Sequence, residues 1–356
     1  MKIVDYQRPP IKVAIMGLGR SVFETHYPVF KAHPSLFKVV ATCDILKDRR
    51  DIVARDYPEC RMFRQYDDML DERDIDLVDI ATTNVDHVEH AVKSLKRGYW
   101  TLLETPVALT YEDAQILKGA AMKAKNRLMV MQRGMFDPDF MLAKKMMEDP
   151  RLGMINEIRI RKEDYIRRDD WWCVKRLGGG AAYYAMPDLL AQALELMPVP
   201  PIQMWSHMVR IASLGDCEDC VHVNFKTRTN LAADIEYNGG CLPQDRGPSF
   251  EIRGELGTFK VMPGASEGTL SMVDPNFHFP RRRMSVRTPP FGDLHENFPT
   301  VTETVKLPPG TLSGQTLFWK HVYDTVRTAT PFPFKLDGAI ESIKYIQLMK
   351  KNSPFG

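Results

Sequence analysis

The sequence predicts a two-domain α/β fold, with an N-terminal doubly wound parallel sheet and a C-terminal α/β domain built on a large, mostly antiparallel open sheet. Up to about residue 133, short β-branched runs alternate with segments of helical periodicity, which is typical of parallel sheets flanked by helices. Beyond about residue 150, apolar and polar residues alternate in twos, as in antiparallel strands with one buried face. We therefore expect domains at 1–133 and 134–356.

The elements follow from the same patterns. The strands expected in the first domain are 11–17, 38–44, 76–82, 100–104 and 127–132, with a helix over 87–98. The strands expected in the second domain are 154–166, 203–214, 220–229, 231–240, 249–262 and 303–308. Two helical patterns, 313–328 and 336–351, close the chain.

Composition narrows the class of partner. The 356 residues include 48 Lys and Arg against 46 acids, and a net charge of +2 gives no electrostatic reason to expect nucleic acid or an anionic membrane. No apolar run approaches the roughly 20 residues that span a bilayer. Six scattered cysteines and an opening without a continuous apolar leader predict a reduced, cytoplasmic protein. The single CxxC of Cys217 and Cys220 lacks a second pair, so no metal is expected.

The strongest chemical signal is a glycine turn after the first strand. Gly17 and Gly19 precede a helical segment, the arrangement in which backbone N–H groups receive a pyrophosphate, although Val22 occupies the third glycine position. Asp44 ends the second strand, where a carboxylate accepts hydrogen bonds from a ribose diol. The sequence therefore predicts NAD as cofactor. NADP is the alternative, in which Arg49 and its neighbour Arg50 would bind the 2′-phosphate.

Five segments in order carry a family resemblance. "GLGRSVFETHYPVF", "CDILKDR", "DIDLVDIATTNVDHVEHAVKSLKRGYWTLLETPVAL", "GGGAAYYAMPDLLAQALELM" and "IRGELGTFKV" resemble the glucose-fructose oxidoreductase, inositol dehydrogenase and MocA-type (Gfo/Idh/MocA) family over nearly the whole chain. The resemblance implies a Rossmann domain, then a substrate domain whose open sheet often forms an oligomer interface. The positions it implies at the cofactor are Gly17, Gly19, Arg20, Ser21, Asp44, Thr82, Asn84, His87 and Glu104.

The chain departs from that family where the chemistry is expected. Glu104, Thr105 and Pro106 stand where family dehydrogenases usually carry Glu-Lys-Pro, so the lysine implied in proton transfer is absent, and Thr105 is left to help position the cofactor. The family's Asp and His, four residues apart after three glycines, become Tyr184 and Asp188. All three polar positions implied in catalysis have therefore changed.

A partial replacement is conceivable from the residues themselves. Tyr184 and Asp188 are one helical turn apart and would share a face, so they could relay a proton, with Lys175 as a cation that lowers the tyrosine pKa. The alternative is that Tyr183 and Tyr184 only pack and Asp188 caps the following helix.

A second cluster of aromatic and charged residues is a candidate carbohydrate surface. Aromatic faces suit sugar rings and charged side chains bind hydroxyls, which favours Asp164, Tyr165, Trp172 and Tyr183 as substrate residues. A sheet edge or a subunit contact is the alternative. Because one face of an open sheet must be covered, a homo-oligomer, dimer or tetramer, is expected.

Three classes of function fit these observations. The first is an NAD-dependent oxidoreductase acting on a hydroxyl of a sugar, polyol or glycoside. The second is a redox-neutral glycosidase or lyase, in which retained NAD oxidises a sugar carbon transiently so that a glycosidic substituent can leave; some relatives of this kind also lack the lysine. The third is a dinucleotide-binding protein without catalysis. In each the ligand is a small molecule.

Overall fold

A computed structural model describes residues 8–281, 297–351 and 353–356. Its first sheet is parallel and has six strands in the order β3-β2-β1-β4-β5-β6. These strands are β1 Ile11–Met16, β2 Phe37–Cys43, β3 Arg61–Phe63, β4 Leu77–Ile80, β5 Trp100–Leu103 and β6 Leu128–Val130. The strand order reverses between β1 and β4, and ligands of such sheets bind outside the carboxyl ends of the strands at that switch point.

A helix follows each of these strands along the chain. They are α1 Tyr27–Ala32, α2 Lys47–Asp56, α3 Tyr66–Leu70, α4 His87–Lys96, α5 Tyr111–Lys123 and α6 Pro138–Met146. A π-helical turn, Val22–His26, precedes α1. Helix α5 begins where the Thr110 side chain accepts from the N–H of Asp113, which satisfies one of the free donors of the first turn.

The second sheet has eight strands in the order β14-β13-β12-β11-β7-β10-β9-β8. Only β7 and β10 run parallel among the described pairs. Its strands are β7 Ile155–Glu163, β8 Pro201–Val209, β9 Cys220–Thr227, β10 Ala232–Asn238, β11 Phe250–Gly254, β12 Gly257–Val261, β13 Glu267–Val273 and β14 Thr300–Lys306. The remaining helices are α7 Ala181–Tyr184, α8 Met186–Leu196, α9 Gly314–Thr328 and α10 Leu336–Lys351.

The two faces of the eight-stranded sheet differ in character. Ile158 and Ile160 of β7 are fully buried on what we call the covered face, on which α6 and α8 pack. Arg159 and Arg161 alternate with them on the open face, where they pair with glutamates. Strand periodicity therefore sorts the side chains of β7 between an apolar interior and an ionic exterior.

The last two helices return to the first sheet. Trp319 of α9 packs edge-on against Phe30 and Phe37, with ring centroids 5.0 and 5.5 Å apart. Arg327 of the same helix pairs with Asp76 at 2.6 Å. Helix α10 packs on α5 and α8, so the C-terminal segment contacts elements of both sheets.

The predicted fold class is confirmed, with three local differences. Strands β3 and β13 were not predicted, because the first has three residues and the second alternates Gly, Thr and Ser with few apolar side chains. The segment predicted as a strand over 249–262 forms the hairpin β11–β12. Its turn is at Glu255 and Leu256, and the preceding Gly254 lies so close to the chain that a Cβ would be 2.0 Å from the carbonyl oxygen of Leu152.

Candidate cofactor and active site

The turn after β1 has the geometry of a phosphate cradle. Gly17 has φ +88°, and a Cβ there would lie 2.6 Å from the carbonyl oxygen of Ala81, so the position requires glycine. A Cβ at Gly19 would meet nothing within 4 Å. The backbone N–H groups of Gly19, Arg20 and Ser21 find no acceptor among the described residues. These free donors fit the pyrophosphate of a dinucleotide.

Asp44 lies beside this cradle. Its Oδ2 accepts from the N–H of Leu18 at 2.8 Å, and its Oδ1 accepts from the N–H of Leu46 at 2.8 Å. A carboxylate has about four acceptor positions, so lone pairs remain for the hydroxyls of a ribose. The guanidinium of Arg49 lies 3.6 Å from Oδ2, and that of Arg50 donates to the Asp44 carbonyl.

The cradle also contacts the second domain. The guanidinium of Arg20 lies 3.7 Å from Asp170, whose carboxylate also receives Arg168 at 3.2 Å. Arg168 in turn lies over the ring of Tyr184, 4.7 Å from its centroid. A chain of charged contacts therefore connects the glycine turn with the predicted substrate side of the cleft.

The loop after β4 supplies three predicted cofactor residues. Asn84 donates to the carbonyl of Gly178 at 2.7 Å, and its buried Oδ1 has no partner among the described residues. His87 is buried with Nδ1 2.7 Å from the Pro106 carbonyl, and burial lowers its pKa, so it remains neutral and fixes this corner. Thr82 lies against Gly17 and its hydroxyl is 3.2 Å from His90. The Asn84 oxygen is therefore an unused acceptor in this loop.

Glu104 belongs to a buried, hydrogen-bonded chain of three ionisable residues. This chain was not predicted from the sequence. His26 places Nδ1 2.7 Å from Oδ2 of Asp79 and Nε2 2.9 Å from Oε1 of Glu104. The same Glu104 oxygen accepts from the Ser21 hydroxyl at 3.1 Å. The only advance signal was Asp79, a charged residue inside the buried strand β4.

Electrostatics decide the charge state of this chain. Burial disfavours a charged His26, but the charges and hydrogen bonds of Asp79 and Glu104 outweigh it and raise the His26 pKa to about 10. Burial likewise opposes ionisation of Glu104, yet the contact with His26 holds its pKa below the usual value. At neutral pH His26 is therefore an imidazolium, and the Glu104 beside it is a carboxylate.

Thr105 forms the corner in which the family lysine is absent. Its N–H donates to Oε2 of Glu104 at 3.3 Å, and its bond to Pro106 is cis. Its hydroxyl makes no hydrogen bond with another described residue. The corner therefore offers Glu104 and a threonine hydroxyl to a ligand, without a cation from its own side chains.

The three glycines before Tyr184 bring the backbone close to the chain itself. A Cβ at Gly178 would lie 2.9 Å from Cβ of Asn84, and one at Gly180 would lie 2.4 Å from Glu218. A Cβ at Gly179 would lie 2.5 Å from the carbonyl oxygen of Trp172. These contacts explain the glycines without a ligand.

Tyr184 and Asp188 do not share one continuous helix. Ala185, with φ −120° and ψ −44°, separates α7 from α8, so the expectation that they lie on one helical face is wrong. The Tyr184 ring packs edge-on against Trp172 and Tyr237, with centroids 5.6 and 5.3 Å away. Burial, and then the contact with Tyr237, raise the Tyr184 pKa. No hydrogen bond joins it to Asp188 in the described structure.

Lys175, the cation predicted to lower the tyrosine pKa, has a different environment. It is exposed, and its ammonium donates to the carbonyl of Gly356. The cation that contacts the Tyr184 ring is instead Arg168.

Asp188 is the titratable group of the cleft. Its Oδ1 is enclosed and has no hydrogen-bond partner among the described residues. Burial raises its pKa to about 6, because the cations of Lys162 and Arg133 only partly offset the loss of solvent and the charge of Glu104. A carboxyl that titrates near neutrality is suited to acid–base work.

The two cations beside Asp188 were also missed. Lys162 follows Ile158 and Ile160 on the covered face of β7 and pairs in register with Tyr237. Neither Lys162 nor Arg133 forms an ion pair within 4.0 Å with another residue of the described ranges. A partial sequence signal was present: the strand period places this lysine on the same face as Ile158 and Ile160, although its own side chain is exposed.

The predicted substrate residues are dispersed. Trp172 stacks on Trp171 with centroids 4.2 Å apart and forms an aromatic wall with Tyr184. Tyr183 instead donates to the carbonyl of Leu109 at 3.1 Å, and Asp164 pairs with a surface arginine. Tyr165 is 48% exposed. The structure therefore brings Trp172 together with Tyr184, and leaves the other three outside this wall.

A metal-binding cluster and a membrane-spanning helix are both absent from the described residues. Within those ranges, no group of three His, Cys, Asp or Glu residues is arranged to hold a metal ion. None of the helices described is both long and apolar enough to cross a bilayer.

Comparison with known proteins identifies the family. Residues 11–132 match the model of the Gfo/Idh/MocA oxidoreductase family with its NAD-binding Rossmann fold, and residues 140–260 match a C-terminal domain model of the same family. The chain therefore belongs to the Gfo/Idh/MocA oxidoreductase family, and residues 11–132 form its NAD-binding Rossmann fold.

Individual relatives are more distant. An uncharacterised oxidoreductase of Schizosaccharomyces pombe is 33% identical over 194 residues, which are 54% of this chain and 53% of that protein. The match thus spans about half the length of that relative. An NADP-dependent scyllo-inositol 2-dehydrogenase of Bacillus subtilis is 25% identical over 251 residues, 70% of this chain and 68% of its own.

Solved structures agree on the fold. An NAD-binding protein from Listeria innocua superposes with a TM-score of 0.80 at 21% identity, covering 97% of this chain and 98% of its own. A WlbA dehydrogenase of Chromobacterium violaceum, solved with NADH and UDP-GlcNAcA, gives a TM-score of 0.75 at 18% identity, covering 99% and 96%.

Proposed function

We propose that this protein is an NAD-dependent oxidoreductase that oxidises a hydroxyl of a sugar, polyol or glycoside, with Asp188 as the proton acceptor. The observation that carries the proposal is the enclosed, unpartnered Oδ1 of Asp188, whose carboxyl has a pKa of about 6. A general base is most effective when it titrates close to the operating pH. Asp188 thereby takes the place of the polar groups absent at 105 and 184.

Oxidation of a carbinol removes a hydride and a proton, and the two go to different acceptors. An oxidised nicotinamide dinucleotide held at the glycine turn and Asp44 would supply the acceptor for the hydride of the carbinol carbon. The hydroxyl proton passes to Asp188, and a ketone is left. Lys162 and Arg133 keep Asp188 ionised at neutral pH despite its burial, since each lowers its pKa. The Trp172 and Tyr184 rings give the cleft an aromatic wall suited to a sugar face.

We further propose NAD rather than NADP. The Asp44 carboxylate stands at the end of β2, where it would accept from a ribose diol and repel a 2′-phosphate. Arg49, 3.6 Å away, weakens that repulsion. Comparative titration with NAD⁺ and NADP⁺ tests the choice. Tighter binding of NADP⁺ would contradict it and would indicate that Arg49 binds the 2′-phosphate.

The activity itself is tested by supplying NAD and a panel of inositols, aldoses, sugar alcohols and nitrophenyl glycosides, and recording NADH and products. Net NADH formation that falls by about 10² to 10⁴ in Asp188→Asn, with NAD affinity unchanged, supports the proposal. Lys175→Met is the matched control because Lys175 is exposed. Cofactor binding without turnover on any compound would indicate a dinucleotide-binding protein without catalysis.

A redox-neutral glycosidase or lyase is the second candidate, and Thr105 is the observation that favours it. The corner lacks the lysine that the family uses with simple alcohols. Cleavage of a nitrophenyl glycoside with retained NAD and no net NADH would identify this reaction. Net NADH formation from a free sugar would exclude it as the main activity.

Self-association is proposed through the open face of the eight-stranded sheet. No described helix packs on that face, and Trp205 there is 58% exposed and lies against His207 and His222. Sedimentation of the purified protein tests the proposal. A monomer at micromolar concentration would contradict it.

A further inference from the structure

We propose that His26 is a positioning residue: as a buried imidazolium it holds Glu104 ionised and fixed at the nicotinamide half of the cleft, so that Asp188 alone titrates during proton transfer. The proposal rests on the proposed function for its kinetic part only. Its structural part concerns the charge of one histidine and can be measured without turnover.

The charge of His26 follows from its two contacts. Nδ1 lies 2.7 Å from a carboxylate oxygen of Asp79, and Nε2 lies 2.9 Å from one of Glu104. Ionised carboxylates only accept hydrogen bonds, so with Asp79 and Glu104 both ionised each ring nitrogen carries hydrogen. A neutral ring has one N–H and would turn a lone pair toward one carboxylate.

The surroundings prevent water from replacing these contacts. His26 and Asp79 are both fully buried, and the edge of the Trp319 ring packs on the imidazole with centroids 5.6 Å apart. The π-helical turn Val22–His26 directs the histidine inward at the start of α1. A buried charge without its partners is strongly destabilising, so the three residues act as one unit.

The strand order places this unit at the reaction. In a doubly wound sheet the two halves of a dinucleotide bind on either side of the switch point, and β5 belongs to the half opposite Asp44. Glu104 directly follows β5, with 17% of its side chain exposed. Its Oε1 also holds Ser21 of the glycine turn. The Glu104 carboxylate, which His26 holds in place, therefore connects the glycine turn to the corner that follows β5.

Among the described residues, the ionisable groups that act on His26 and Glu104 come from several elements. Asp79 on β4 and Glu104 contact the ring directly. Arg133 after β6 lowers the Glu104 pKa. His87, whose pKa is lowered by burial, is a neutral neighbour of Glu104. Asp188 of α8 senses Glu104 as a negative charge that raises its own pKa. If Glu104 took up a proton, Asp188 would lose that influence, and two groups would titrate instead of one.

The first test is spectroscopic. Selective ¹⁵N labelling of histidine should give one imidazole that keeps both N–H protons from pH 6 to 9 and disappears in His26→Gln, with exposed His278→Gln as the matched control. Asp79→Asn should lower the titration point of this imidazole by more than about one pH unit, since an opposite charge is lost. A single-N–H tautomer at pH 7 in the wild-type protein overturns the proposal.

The second test uses cofactor binding and kinetics. The affinity of wild-type protein for NAD⁺ should be flat from pH 5 to 8, and kcat/KM should show one ionisation. In His26→Gln, affinity should fall as pH is lowered, and below the new ionisation kcat/KM should drop by up to about 100-fold per pH unit, because two groups then take up protons. Glu104→Gln in that background should remove the second ionisation.

The outcomes separate the two proposals. Unchanged pH profiles in folded His26→Gln overturn the positioning role even where turnover is found. A two-proton imidazole and the pH-dependent NAD⁺ affinity, in a protein that oxidises none of the panel, support the role of His26 and contradict the proposed function. If His26→Gln does not fold, Asp79→Asn carries both measurements, since it retains the Glu104 contact.

Discussion

The side-chain amide of Asn84 donates a 2.7 Å hydrogen bond to the carbonyl oxygen of Gly178, which attaches the loop after β4 to the glycines that precede Tyr184. Both residues are buried, so water cannot substitute for the lost donor. With the Arg20–Asp170 contact and the hydrogen bond from Tyr183 to Leu109, this bond joins the two walls of the cleft.

Asn84→Ala should therefore destabilise the protein. The Gly178 carbonyl would be left buried without its donor, at a cost of about 1–3 kcal/mol in the free energy of unfolding. Denaturant titration measures the change, with exposed Asn156→Ala as control. Equal stability of the two variants would mean that another donor takes the place of Asn84.

Thr105→Val should leave turnover within about tenfold of wild type. The hydroxyl has no hydrogen-bond partner in the described structure, and threonine has no acid or base form near neutrality. Steady-state kinetics and NAD titration measure the two effects separately. A loss of more than about 10³ in kcat with binding intact would assign proton transfer to this corner. Thr105→Lys that strongly raises net NADH formation would favour the redox-neutral reaction as the native one.

Lys162→Met should move the acid limb of the kcat/KM profile to higher pH. Asp188 acts as a base when ionised, so the rate falls as pH drops through its pKa of about 6. Lys162 lowers the Asp188 pKa, so its removal should let burial raise that pKa further. Exposed Lys175→Met should leave the profile in place. A profile that moves with Lys175 and not with Lys162 would restore the sequence-based choice of cation.

Tyr184→Phe should retain turnover within about tenfold. A Tyr184–Asp188 relay would instead cost about 10² to 10⁴. The structure places the tyrosine against Tyr237 and Arg168, with burial raising its pKa, whereas Asp188 Oδ1 has no partner. The Phe ring preserves the contact with Trp172. A large loss in folded Tyr184→Phe would reinstate the relay.

The fold was predictable because its signals are local. The apolar run Ile11–Met16 and the alternating segment Ile155–Glu163 can each be recognised as strands from their own residues. The order of such strands and helices along the chain then predicts the two sheets. The short β3 was missed since three residues carry too little pattern. The helix after the glycines was predicted as continuous because a break at Ala185 depends on tertiary packing rather than on propensity.

The site was less predictable because its members come from separate segments. His26 and Glu104 are 78 residues apart in the chain, and only the parallel order of β1, β4 and β5 brings them together. The strand period does place Lys162 on the face of Ile158 and Ile160, but its side chain is exposed, so the pattern alone does not single it out. Its proximity to Asp188 could not be predicted either, since that depends on how α8 packs on the sheet.

The last prediction concerns stability in alkaline solution and follows from His26. Its pKa is about 10 in the folded protein and 6.5 when exposed, so the folded state retains a proton that the unfolded chain releases between these values. The stabilisation is complete below pH 6.5 and is lost as pH rises through 10. Over that window the free energy of unfolding should fall by up to about 1.4 kcal/mol per pH unit from this group. Buried cysteines and tyrosines with raised pKa values add to the alkaline slope, so the comparison with His26→Gln isolates the histidine. Denaturant titrations between pH 7.5 and 10 should give wild-type stability a steeper decline than that of the variant, and parallel declines would show that His26 is neutral in the folded state.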